Sequence, residues 1–196
     1  MPKQTKTYIK ILEAALPLFA AFGYKGVAMR DIANTVGITA AALYNHFPNK
    51  ESLYFKALEY AFEAQVSGLA EALSKTHTPR HRLSALVSFW VETFGSDVIL
   101  RALLQREMTD ADETRLRLLV QYVFQPVYEE VGGFIRSLSS RHDPLMLFTS
   151  IAGLVMYHFE TAPLRRLLPG FDANHDEHDT IIEHVTSLLA QGLDIP

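Results

Sequence analysis

The chain has 196 residues, 48% of them hydrophobic, 20% charged and 11% aromatic, with a mean hydropathy near zero. This excludes disordered, collagen-like and low-complexity classes and suits one large helical domain or two smaller ones. Zero cysteines exclude disulfides, thiolate zinc sites, iron-sulfur clusters and thiol nucleophiles. The net charge of −4 is unevenly spread. Residues 1–50 carry six Lys or Arg against two acids, net +4, and residues 51–196 carry twelve against twenty, net −8. One end is therefore suited to a polyanion and the rest is not.

Apolar spacing predicts helices throughout and no strands. Tyr8, Leu12, Ala15, Phe19 and Phe22 recur every three or four residues, the phase of an amphipathic helix, and Glu13 and Pro17 interrupt any secretory apolar run. Gly23 is positioned to end that helix in the left-handed conformation. Met29, Ile32, Ala33 and Val36 form one face of a short second helix, which Gly37 turns into a third capped by Thr39 and reaching Asn45. A long connecting helix follows over residues 51–74, with Phe55, Leu58, Phe62, Val66, Leu69 and Leu73 on one face. After a break at Thr76 to Pro79, Thr78 and Pro79 pair a cap with a first-turn proline. The stripe Leu83, Val87, Trp90 and Phe94 opens the next helix, and a short one over 97–108 leads to a polar break at 109–113. Leu116, Val120, Val123, Val127, Phe134 and Leu138 define a long helix kinked by Pro126. Asp143 and Pro144 begin an apolar helix whose uncharged run, 144–159, is shorter than the ~20 residues that span a bilayer. Pro163 ends or bends it, a His- and Asp-rich loop covers 169–179, and Ile181, Ile182, Val185, Leu188, Leu189 and Leu193 mark the last helix. The count is about nine helices.

Two short helices joined by a glycine turn and packed on a longer one form a helix-turn-helix, which presents the start of its last helix to a DNA major groove. The run Gly23-Tyr24, Met29-Arg30-Asp31-Ile32-Ala33, Val36-Gly37-Ile38-Thr39 and Leu43-Tyr44-Asn45-His46-Phe47-Pro48-Asn49-Lys50-Glu51-Ser52-Leu53 resembles the DNA-binding domain of the TetR family of transcriptional regulators. The resemblance implies an all-α chain. Residues 1–50 would form the helix-turn-helix domain and 51–196 a helical ligand-binding and dimerisation domain. It implies a cytoplasmic homodimer, usually a repressor, which leaves a palindromic DNA operator when a small-molecule effector fills the helical domain. No enzymatic activity, cofactor or membrane partner is implied.

By position in that motif, Tyr44, His46 and Lys50 match phosphate contacts of the family. Lys50 also stands at a helix start, where its charge adds to the dipole. Ala40, Ala41 and Ala42 replace the family's usual lysine, glycine and threonine. The methyls of Ala40 and Ala42 suit close approach to thymine methyls, and Thr39, Asn45 and Tyr44 are left for polar readout. Ala28 replaces a capping hydroxyl, leaving the backbone amides of Val27 and Ala28 for phosphate.

Among the aromatics between 80 and 160, Trp90, Phe94, Tyr122 and Met156 are the candidates for lining an apolar pocket, with an aromatic or acyl effector. The helices over 144–162 and 180–193 are the candidates for the subunit interface. Two rival readings are a metal-dependent enzyme using His175, His178 and His184 with Glu183, and a helical protein-interaction dimer. Ser67 and Ser88 lack a nucleophile elbow, and Gly132 and Gly133 lie within a helical pattern rather than a phosphate loop.

Overall fold

A computed structural model describes residues 6–75, 78–138 and 141–195; within the fourth helix the side chains at 64–68, 70 and 72 lie outside the description. Thr76, Val66 and Ser67, named above, fall there. Every regular element among the described residues is helical: α1 Lys6–Gly26, α2 Met29–Val36, α3 Ala40–His46, α4 Lys50–Lys75, α5 Pro79–Ser96, α6 Val98–Asp110, α7 Glu113–Leu119, a π turn Val120–Phe124, α8 Gln125–Leu138, α9 Pro144–Glu160, α10 Ala162–Arg165, a 3-10 turn Ala173–Asp176 and α11 His178–Gly192. The two α-helices beyond nine arise where the expected 116–138 helix divides at the π turn and where Thr161 and Pro163 restart a single turn as α10. Pro126 has no amide hydrogen, and its ring would strike the carbonyl four residues back. Widening the preceding turn, so that the Gln125 amide bonds to the Val120 carbonyl, absorbs that conflict and shifts the apolar phase. Leu119 is therefore buried where Val120, expected inside, is 52% exposed.

The chain forms two compact units, Met1–Ala64 with Val98–Gln125, and Gln65–Asp97 with Pro126–Pro196. The first is built on Ile11, Leu12, Ala15 and Phe19 of α1, against which Ile32 and Ala33 of α2, Leu43 of α3 and Leu53, Tyr54 and Leu58 of α4 are buried. Phe22, expected on the buried face, is 63% exposed. It precedes a break in α1 at Gly23 (φ 71, ψ 167), whose ψ is extended rather than left-handed helical as expected. That break leaves backbone carbonyls open, and two cations close them. Arg106 of α6 donates to the Ala20 and Ala21 carbonyls, each at 2.7 Å, and Lys50 donates to those of Tyr24 and Val27. Beside Arg106, Glu107 and Arg115 are buried as a pair, with Tyr54 donating to Glu107 Oε1 at 2.7 Å. Burial and the Glu107 hydrogen bond push the Tyr54 phenol above its ordinary range.

In the second unit α5 packs against α9 and α11. Leu83, Val87, Trp90 and Phe94 are buried on α5, Leu147, Phe148, Ile151 and Val155 on α9, and Ile181, Val185 and Ala190 on α11. Thr78 accepts from the His81 amide and Asp143 from that of Met146, so both cap-and-proline starts form as read. Among the described residues no single helix is long and apolar enough to cross a membrane. The opposite side of α9 and the segment after it expose Leu145, Met146, Tyr157, Leu164, Leu167 and Leu168.

His158 of α9 sits beside Arg165, whose guanidinium also bonds Asp176, and its ring is 5.9 Å from that of His184. Burial, then the Arg165 charge and His184, holds His158 below the ordinary imidazole value. On acidification the unfolded chain takes up this proton first, so stability is lost as pH falls through the ordinary imidazole range. The thermal midpoint is expected to drop between pH of about 7.5 and about 5.5, and His158→Gln to flatten part of that drop. An unchanged pH profile in the variant would remove His158 from the account.

Candidate nucleic-acid interface

The helix-turn-helix is fixed by local chemistry. Gly37 adopts the left-handed conformation (φ 78, ψ 33), with the Ile38 amide reaching back to the Ala33 carbonyl at 3.0 Å. The Thr39 hydroxyl then accepts from the Ala42 amide at 3.1 Å and starts α3, and its own proton stays available for donation. Leu43 is fully buried and anchors the helix, which turns Ala41, Tyr44 and Asn45 outward. Tyr44 is 51% exposed, so its ring is a surface group rather than part of the core. Ala40 and Ala42 are half-buried, and Ala41 is the most open of the three alanine methyls.

At the start of α2, Asp31 accepts from the Ala28 amide at 3.0 Å. The Ala28 amide, expected to be available for phosphate, is thus already engaged, because a carboxylate three residues into the helix closes on it. Lys25, one of six cations in the first fifty residues, lines a depression of about 480 Å3 with Ala28, Met29, Tyr44, Asn49 and Lys50. Two lysines, a phenol and a helix start there form an arrangement suited to an anion. The ammonium of Lys50 lies 2.8 Å from the Tyr24 carbonyl, 3.0 Å from that of Val27 and 4.4 Å from the Tyr24 ring centroid. Two of its three hydrogens are thereby used and one remains. His46 is half-buried, its ring edge-on to Tyr8, which stacks on Phe47. The imidazole is packed as well as placed near the surface.

The four pocket candidates do not converge. Trp90 and Phe94 stack at 5.2 Å with planes 7° apart, and Phe148 meets Trp90 edge-on at 5.8 Å. Tyr122 belongs to the first unit, 38% exposed and 6.3 Å from the Phe55 ring, because the π turn carries it there. Met156 lies one position off the buried stripe of α9 and is half-buried. Phe148 of α9 stands edge-on to Trp90, and Tyr128 of α8 edge-on to Phe148.

The three histidines of the metal reading also separate. His175 Nδ1 accepts from the Asp172 amide, His178 faces Glu92 and Phe159, and His184 faces His158. Among the described residues no group of three or more potential ligands is placed to hold a metal ion.

Residues 11–57 match the model of the family described as bacterial regulatory proteins, tetR family. The chain is 28% identical over 142 residues to the biofilm operon icaADBC negative transcriptional regulator IcaR of Staphylococcus epidermidis, a match covering 71% of this chain and 67% of that one. It is 34% identical over 88 residues to the transcriptional activator FasR of Mycolicibacterium smegmatis, covering 45% of this chain and 40% of FasR. Among solved structures, the regulator FadR of Bacillus subtilis in complex with stearoyl-CoA superposes with a TM-score of 0.77 at 17% identity, over 94% of this chain and 98% of FadR. AibR in complex with isovaleryl coenzyme A and operator DNA gives 0.61 at 20%, over 93% and 97%.

Proposed function

We propose that the chain is a member, through its N-terminal domain, of the tetR family of bacterial regulatory proteins, and that it is a homodimeric, effector-released repressor that binds a palindromic operator. It is a DNA-binding transcriptional regulator; the finer reading rests on the second unit and on the surface of α3. The observation that carries it is the outward face Thr39, Ala41, Tyr44 and Asn45 beside the Lys25–Lys50 depression. Thr39, Tyr44 and Asn45 read base edges, Ala40, Ala41 and Ala42 touch thymine methyls, and Lys50, His46 and Lys25 hold the strands. Residues 1–50 do the DNA reading, and 51–196 sense and dimerise, with residues 51–74 connecting them.

The exposed apolar face of α9 and Leu188 of α11, 50% exposed, support a subunit interface there. A groove of about 800 Å3 on this face is lined by Gly153, Leu154, Tyr157, Leu164 and Leu168, with His158 and Arg165 at its polar side. A homodimer carries two α3 helices, and a palindromic operator offers them half-sites about 34 Å apart, one DNA turn. Repression follows the precedent of IcaR, a negative regulator, and an apolar or acyl effector that of the acyl-CoA complexes of FadR and AibR. A cytoplasmic location follows from the operator.

The test is binding to an inverted repeat from the DNA beside the gene, measured by anisotropy at several salt concentrations. Lys50→Ala is expected to weaken binding to all sequences alike and to lower the salt slope by about one phosphate. Circular dichroism checks that loss of the Tyr24 and Val27 contacts leaves the fold intact. A folded variant with an unchanged slope would remove Lys50 from the interface, and wild-type protein without affinity for any duplex would overturn the regulator reading.

A further inference from the structure

Among the described residues, all four buried side-chain polar atoms without a hydrogen-bond partner lie in the second unit: Arg82 Nε, Trp90 Nε1, Arg165 Nε and Thr186 Oγ1. Three of them have an alternative. The guanidinium of Arg82 rests 4.5 Å from the Phe134 ring centroid, Arg165 bonds through its other nitrogens, and a threonine hydroxyl can rotate. Trp90 has none. Its indole offers one donor in a fixed direction, and the residue is fully buried. Folded proteins seldom leave such a donor unmade, because its desolvation is uncompensated.

The surroundings specify the missing partner. Trp90 lies flat on Phe94, tilted against Phe89 at 4.9 Å and edge-on to Phe148, which in turn meets Tyr128 edge-on at 5.2 Å. Phe148 is 8% exposed and Tyr128 half-buried, so the indole lies one ring layer beneath the surface of the unit. Aromatic faces and edges accommodate an apolar body. The indole supplies one uncharged donor, so a carboxylate there would have a single hydrogen bond for its charge, and a sugar would leave most of its hydroxyls unpaired. A single neutral acceptor fits.

We propose that Trp90 Nε1 is the donor that selects the effector, and that the effector is an apolar molecule bearing one neutral carbonyl-type acceptor such as a ketone, ester or thioester. This rests on the reading of the second unit as an effector domain. The effector enters between α5 and α9 by parting Trp90 from Phe148, and its carbonyl completes the indole hydrogen bond. A hydrocarbon of the same shape occupies the site and leaves the donor unmade.

Trp90 is the only tryptophan in the chain, so 15N-indole labelling gives one cross-peak. Acetophenone and ethylbenzene are the probes, matched in shape and differing in the carbonyl. Acetophenone is expected to move the indole proton downfield and ethylbenzene is not. Affinities measured by calorimetry add a second readout: Trp90→Phe should cost acetophenone about five- to tenfold and leave ethylbenzene within about twofold. Equal indole shifts from both probes, or an acetophenone affinity indifferent to the substitution, would overturn the donor role while the effector domain stands. Failure of both probes to bind would overturn the apolar-effector reading as well. Should Trp90→Phe not fold, the wild-type indole shifts decide alone.

Discussion

Replacing Arg115 with alanine is expected to destabilise the protein by about 3–5 kcal/mol, a large share of the ~5–15 kcal/mol that holds a typical domain folded. Arg115 Nε lies 3.1 and 2.9 Å from the two carboxylate oxygens of Glu107, and the side chains are 5% and 3% exposed. The remaining nitrogens reach Asp110 at 2.9 Å and Asp112 at 3.3 Å, and the guanidinium lies 5.0 Å from the Tyr24 ring. Without the arginine, Glu107 keeps the Tyr54 hydroxyl but no opposite charge inside a closed core. The cost is that of the stranded carboxylate more than of the lost pair. The triple variant Glu107→Leu, Arg115→Met and Tyr54→Phe, which also removes the hydroxyl that Glu107 accepts from, should therefore recover most of the stability. Urea unfolding of the two variants beside wild type decides it. A change within about 1 kcal/mol for Arg115→Ala would mean that water reaches Glu107 and that the pair is not a buried one.

The second large effect is expected at Gly95. Helix propensity alone would make Gly95→Ala stabilising by about 1 kcal/mol, since the position is inside α5. A methyl there would meet His178 Cε1 at 2.7 Å and Phe159 Cζ at 2.8 Å, both closer than carbon atoms approach. The two rings pack edge-on at 5.7 Å and occupy the space that the glycine leaves. The atoms met are the far ends of two half-buried side chains, which can swing aside for one methyl, so Gly95→Ala should come out near neutral, whereas the bulkier Gly95→Val should incur the full overpacking cost of about 1–3 kcal/mol. Combining Gly95→Ala with His178→Ala removes the nearer obstacle, so the two effects should be non-additive in thermal unfolding. A stabilised Gly95→Ala protein would show that the α5–α11 contact yields freely.

What was legible in the sequence is what is local. Thr39, Thr78 and Asp143 act within one turn of themselves, and Gly37 bends the chain where it stands, so motif, caps and helix phases could be read residue by residue. The pairing of distant charges could not. Arg106 and Arg115 look like ordinary surface cations in sequence, yet they close carbonyls of α1 and a carboxylate of α6. Tyr122 fits an aromatic stripe until one extra residue in the π turn rotates it away. Gly95 gives no sign in the sequence that two rings press on it. Around α3, the cap at Thr39 and the apolar anchor Leu43 were readable, but not that Asp31 takes the Ala28 amide or that Lys50 divides its donors among backbone carbonyls.

The return of α6 and α7 to the first unit has a consequence for biosynthesis. The segment that carries the DNA-binding motif is translated first, but its partners at Arg106, Glu107 and Arg115 are encoded about fifty codons after the motif ends. While the ribosome is still adding α5, the α1 carbonyls lack Arg106 and Tyr54 lacks its acceptor, so the nascent motif cannot reach its finished stability until residues up to Gln125 have left the exit tunnel. Grafting this specificity onto another regulator by a cut after α3 or α4 would sever the same ties, and a working chimaera must carry the Val98–Gln125 stretch with it.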